Sequence, residues 1–127
     1  MKNITTILTI LAMFCVVYSN AQSKVDWSKQ AEKAVELVAK LPEVIKADKQ
    51  CRYLSKGKRH LVSFVTEDPT QDNNFFQVNV AEDNGSAYHT WFIFQVEPLS
   101  YKIYYYDIKT GDNIPLKKWR KNYKAYI

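Results

Sequence analysis

The chain has 127 residues with 18 Lys/Arg against 13 Asp/Glu, a formal charge of +5, 46% apolar residues, two cysteines and three glycines. That length supports one hydrophobic core, and so few cysteines, histidines and glycines exclude zinc spacings and a glycine-rich phosphate cradle. The charge falls in blocks: ten Lys/Arg and five Asp/Glu from Gln22 to Arg59, six acids and no cation from His60 to Tyr101, then seven cations and two acids from Lys102 to Ile127. The aromatic segments lie mostly in the acidic block, where a phosphate backbone would be repelled, so nucleic acid is not an expected partner.

In chain order, Lys2 precedes an apolar and hydroxyl run from Ile4 to Tyr18, and the small residues Ser19 and Ala21 stand three and one places before Gln22. This predicts a cleaved signal peptide over residues 1–21 and a single domain over residues 22–127, secreted or periplasmic. The run is too short and too rich in threonine for a spanning helix. Phe14 precedes Cys15 where a lipidation signal has a small residue, so no membrane association is expected after cleavage. Only Cys51 then remains, and the mature domain must rely on its core without an internal disulfide.

Trp27, Ala31, Ala34, Val35, Val38, Leu41 and Ile45 recur at three- and four-residue steps, which predicts an amphipathic helix after Asp26 or Ser28. Pro42 should kink or restart it, with a short continuation to about Ala47. The periodicity then changes to two. Strands are expected near Arg52–Ser55, Arg59–Thr66, Phe75–Val80, Tyr88–Val96 and Tyr101–Ile108, joined by turn-forming segments into an antiparallel meander. A further turn at Lys109–Asn113 leads to Ile114, Leu116 and Trp119 among basic residues. The expected fold class is α+β, an N-terminal helix packed on a four- to five-stranded antiparallel sheet.

A two-residue type I′ turn at Asn84-Gly85 would set Asp83 opposite Ser86, Val80 opposite His89, Val78 opposite Trp91 and Phe76 opposite Ile93. With Pro98-Leu99 central to the next turn, Glu97 would oppose Ser100. One face would then hold Phe76, Val78, Val80, Trp91, Ile93, Tyr104 and Tyr106. The other would hold Phe75, Gln77, Asn79, Thr90, Phe92, Phe94, Val96, Tyr101, Ile103 and Tyr105. Both are apolar and aromatic, with one long helix to cover them. Either the tail, with Trp119, Tyr123 and Tyr126, folds over the second face, or that face is an exposed interaction patch.

Catalytic groups are sparse. His60 and His89 are strand histidines, and Cys51 with His60 lacks an orienting carboxylate and an oxyanion donor at recognisable spacing, so no enzyme is expected. Asp83-Asn84-Gly85 lacks the alternating ligand series of a calcium loop, and neither a metal nor a cofactor is expected.

The helix-then-meander order resembles the cystatin-like architecture, and Gln77-Val78-Asn79-Val80-Ala81 is similar to the Gln-x-Val-x-Gly loop of the cystatin protease inhibitors, with Ala81 in place of the glycine and the later Pro-Trp pair missing. Tyr104-Tyr105-Tyr106-Asp107-Ile108-Lys109-Thr110-Gly111 resembles the strand and Asp-x-x-Thr-Gly turn that ends PepSY domains. More broadly, the chain resembles small secreted bacterial α+β proteins of unassigned function, with a Leu-Pro-Glu-Val helix end and a Tyr-Tyr-Asp strand before a basic Trp-Arg tail. None of these resemblances carries catalytic residues onto this chain.

The expected function is an exported non-enzymatic protein-binding domain of inhibitor or immunity type. Its docking face would be Phe75, Gln77, Asn79, Thr90, Phe92, Phe94 and Tyr105, and its charge blocks would steer the approach of a protein partner. Two alternatives stand beside it: a small-ligand carrier with an aromatic pocket around Trp91, Tyr104 and Tyr106, and a homodimer joined through its second faces. Intact mass of protein recovered from envelope or medium tests the export reading. A chain beginning at or beside Gln22 is expected, and recovery with Met1–Ala21 retained or with lipid on Cys15 refutes it.

Overall fold

The computed structural model describes residues 24–123. The expected signal segment, Cys15 and Tyr126 lie outside the described residues. Helices α1 (Ser28–Ala39) and α2 (Pro42–Leu54) precede strands β1 (His60–Glu67), β2 (Phe76–Asp83), β3 (Tyr88–Val96), β4 (Ile103–Asp107) and β5 (Asp112–Pro115), and helix α3 (Leu116–Lys121) follows. The five strands form one antiparallel sheet in the order β1-β2-β3-β4-β5. The α+β class and the helix-before-sheet order agree with the expectation from sequence.

The apolar stripe of α1 buries Ala34 and Val38. Leu41 is extended (φ −60°, ψ 134°), the conformation favoured before proline, and Pro42 opens α2 where its missing N–H is not needed. A restart is expected at Pro42, but α2 runs on to Leu54 and absorbs the strand expected at Arg52–Ser55. Val44, Ala47 and Cys51 share one buried stripe, and Arg52 Nε donates to Asp48 Oδ2 at 2.8 Å one turn back, so packing and an i,i+4 pair outweigh the local β preference. The helix stops at a Schellman-type end: Gly57 N–H donates to Arg52 O and Lys56 N–H to Tyr53 O, with Lys56 and Gly57 both left-handed.

The expected β2–β3 register is corrected in two steps. Asp83 lies opposite Tyr88, not Ser86. The connection is a four-residue loop in which Asn84 Oδ1 accepts the N–H groups of Ser86 and Ala87, and of the pair Asn84-Gly85 only Gly85 has the positive φ that a type I′ turn needs at both. Farther on, Ala81 pairs with Thr90 while Val80 pairs with Phe92, so Trp91 is an extra residue in a β-bulge. An odd slip exchanges faces, and Phe92, Phe94 and Val96 join Phe76, Val78 and Val80 on one side. Between β3 and β4 the expected pairing shifts by two residues, setting Val96 opposite Ile103: Glu97 N–H donates to Lys102 O, and Leu99 and Tyr101 are left-handed. That even slip leaves the relative faces of β3 and β4 as expected.

The core therefore lies on one side of the sheet. Ala34, Val38, Val44, Ala47 and Cys51 from the first two helices and Trp119 from α3 pack with the inward residues of β1 to β5. Trp119 is fully buried, stacks on Tyr105 at 5.0 Å and 9°, and meets Phe94 edge-on at 5.6 Å. Its Nε1 has no hydrogen-bond partner among the described residues. Replacing Trp119 by alanine should cost about 3–5 kcal/mol, whereas phenylalanine, which deletes the orphaned N–H, should cost about 1–2 kcal/mol. Urea unfolding checks both, and an unchanged midpoint for Trp119→Ala would detach α3 from the core.

Candidate functional site

The seven residues expected to form a docking face are divided by the bulge. Phe92, Phe94 and Tyr105 are 3%, 0% and 8% exposed and form the floor beneath Trp119, so they are core residues and no part of an open face. Phe75, Gln77 and Asn79 lie on the opposite side of the sheet, and Thr90 is exposed beside the bulge. The tail does cover Phe92, Phe94 and Tyr105, but on the same side as α1 and α2.

Strand alternation places Phe64, Gln77, Asn79, Ile93, Gln95, Tyr104 and Tyr106 on the side away from all three helices. Phe75 meets Tyr104 edge-on at 5.7 Å, and Phe64 meets Tyr88 at 5.3 Å. The polar groups between the rings are tied to one another. Gln77 Nε2 donates to Thr66 Oγ1 at 3.0 Å, Asn113 Nδ2 donates to Gln95 Oε1 at 3.1 Å, and Tyr104 OH donates to Glu97 Oε1 at 3.2 Å. Acids stand at the strand ends and connections around this face: Glu67, Asp68, Asp72, Asp83, Glu97, Asp107 and Asp112. The outward set of Ile93, Tyr104 and Tyr106 was legible as a face; its partners on β2 were not, because the bulge reassigns them.

On the helical side, α2 and the bulged start of β3 bound a half-open cleft of about 480 Å³, lined also by Tyr123. Trp91 lines it, but Tyr104 and Tyr106 are on the other side of the sheet, so the expected Trp91–Tyr104–Tyr106 pocket is not assembled. Lys46, Gln50 and His89, which sequence reasoning did not single out together, contribute the polar lining. Trp91 Nε1 donates to Glu82 Oε2 at 3.0 Å, and Arg59 pairs with the same buried carboxylate. Arg120 grips Glu43; partial burial would raise that carboxyl, yet Arg120 and the backbone outweigh it and hold it below the usual range. Burial, then the Glu43 charge, pushes the Tyr123 phenol up.

Cys51 is buried, and burial followed by the charge of Glu82 pushes its thiol up, which disfavours the nucleophilic thiolate. Among the described residues no group of three or more His, Cys, Asp or Glu could hold a metal ion, and no helix is long and apolar enough to cross a membrane. The chain matches no family model, and comparisons with curated proteins and with solved structures give no match.

The wall of the cleft formed by α2 is seated on β1 through Asp48, whose Oδ1 accepts the Leu61 N–H at 2.8 Å while Oδ2 takes Arg52. Partial burial works to raise this carboxyl, but the Leu61 N–H and Arg52 together hold it below its ordinary 3.8. A carboxyl lowered by folding stabilises above its unfolded value and loses that contribution as pH falls through the folded one. Asp48→Asn should therefore cost about 1 kcal/mol at neutral pH, discounted for partial solvation, and the gap from the wild type should close below about pH 4. Urea midpoints across pH 2–7 check this, and a gap independent of pH would show that the carboxylate is not held low.

Proposed function

We propose that the mature domain is an exported, non-enzymatic binding protein of inhibitor or immunity type that docks a protein partner on the open face of its sheet. The observation that carries this reading is the ordered row of Phe75, Tyr104, Tyr106 and Ile93 interleaved with Gln77 and Asn79 on the side that no described helix covers, with Gln95 buried beneath them. Aromatic rings offer large contact area at small entropic cost, and amides already fixed by hydrogen bonds offer directional contacts without further ordering. The acids around the face favour a partner whose contact surface is basic at the rim and apolar at the centre. Catalysis finds no support in the buried thiol or in the two strand histidines.

Affinity capture from the producing cell's envelope and neighbours tests this, with the captured protein identified and its binding measured against variants. Tyr104→Ser with Tyr106→Ser should leave the domain folded and weaken binding of a basic partner by about thirtyfold for each ring removed, because central aromatic anchors each contribute about 2 kcal/mol. Lys33→Ala, on the helical side, should leave binding unchanged. Equal loss in both variants would refute the assignment of the face. A concentration-dependent dimer abolished by the tyrosine pair would replace the partner with a second copy of the chain.

A further inference from the structure

The cleft between α2 and the bulge lies on the opposite side of the sheet from the docking face, and its chemistry is independent of that reading. Three rings wall it: Trp91 and Phe92 from the bulge and Tyr123 after α3. The Trp91 ring is held by its N–H bond to Glu82, and Phe92 is packed against Trp119, so two of the walls are fixed before anything binds. Opposite them, Lys46 and Gln50 stand one helical turn apart on α2. Glu43, the only carboxylate on the lining among the described residues, is already taken by Arg120. Lys46 has no ion pair among the described residues, and neither Gln50 nor His89 has a side-chain hydrogen bond there. The lining therefore combines flat apolar walls with one uncompensated cation and uncommitted polar groups, in a volume within the range of small-molecule sites.

We infer that this cleft binds a small planar organic anion, an aromatic carboxylate or sulfonate, with its ring against Trp91, Phe92 and Tyr123 and its acid group at Lys46. A neutral ring compound would leave the ammonium without its partner, and an organic cation would face Lys46 with no free carboxylate to receive it. Charge-assisted contact at a partly exposed lysine sets the preference at a modest ratio, and the apolar walls supply the rest of the affinity.

The test uses the mature chain and two isosteric probes, indole-3-acetate and indole-3-acetamide, followed by backbone amide NMR shifts. Saturable shifts should gather at residues 43–50, 89–92 and 123, with the acetate binding about three- to tenfold more tightly than the amide. Lys46→Gln should erase that ratio without changing the urea midpoint, and Lys46→Arg should keep it. Quenching of Trp91 by 8-anilinonaphthalene-1-sulfonate, lost in Trp91→Phe, gives a second readout. The inference is overturned by equal binding of acetate and amide, by shifts gathered on the open sheet face, or by the absence of saturable shifts with all three probes up to about 10 mM.

Discussion

Two residues of β3, Thr90 and Trp91, stand across from a single residue of β2, Ala81, and that mismatch decides which side of the sheet every later aromatic occupies. With an unbroken ladder, Phe76, Val78 and Val80 would share their side with Trp91 and Ile93, and Phe92 and Phe94 would face away from the helices. The extra residue brings two phenylalanines to the helical side, where Trp119, Tyr105 and Ile114 complete the core. Burying each such ring contributes about 1.5–3 kcal/mol, which exceeds the loss of one ladder pairing. The distortion is also held from its own side. Glu82 receives the Trp91 indole and the Arg59 guanidinium together, linking the start of β1, the end of β2 and the bulge of β3 through one buried carboxylate.

Because all three helices are gathered on that side, the molecule is asymmetric in charge as well as in shape. The segments before β1 and after β5 hold fourteen Lys/Arg and five Asp/Glu among the described residues, while residues 60–115 hold two lysines and eight acids. The blocks along the sequence thus become layers in space, a basic helical layer behind an acidic sheet. Such a separation orients an approaching charged surface over about a Debye length, 8–10 Å, before any contact forms. Lys46 belongs to the basic layer, and the open aromatic face belongs to the acidic one, so the cleft and the sheet face differ in the sign of the charge around them.

The elements that can be read in advance are those whose signal is local. The stripe from Trp27 to Val38 marks α1, Pro42 marks the break, and alternation marks β3 to the residue. Arg52–Ser55 reads as a strand because Tyr53 and its neighbours favour one locally, whereas Cys51 on the buried stripe and the Asp48–Arg52 pair carry the helix through. The parity of β2 against β3 has no local signal at all. Thr90 and Trp91 alternate like any strand residues, and only the gain from burying Phe92 and Phe94 beneath Trp119, which arrives two strands later in the chain, selects the slipped pairing. A single residue of register there separates a binding face from a core for Phe92, Phe94 and Tyr105, while Phe75, Gln77 and Asn79 keep their place outside.

An open sheet face invites indiscriminate pairing unless its chemistry prevents it. Here the rings are separated by Gln77, which donates to Thr66, and by Asn79 and Gln95, whose amide oxygens accept from Thr66 and Asn113, so the face is not a continuous apolar patch. The sheet edges are blunted in the same way. Asp48 occupies the Leu61 N–H at the start of β1, and β5 is four residues long and ends in Pro115, which has no N–H to donate. Lateral growth by strand addition is thereby discouraged at both edges, which leaves the flat face, with its ring contacts and acidic border, as the part of the sheet that no described helix covers.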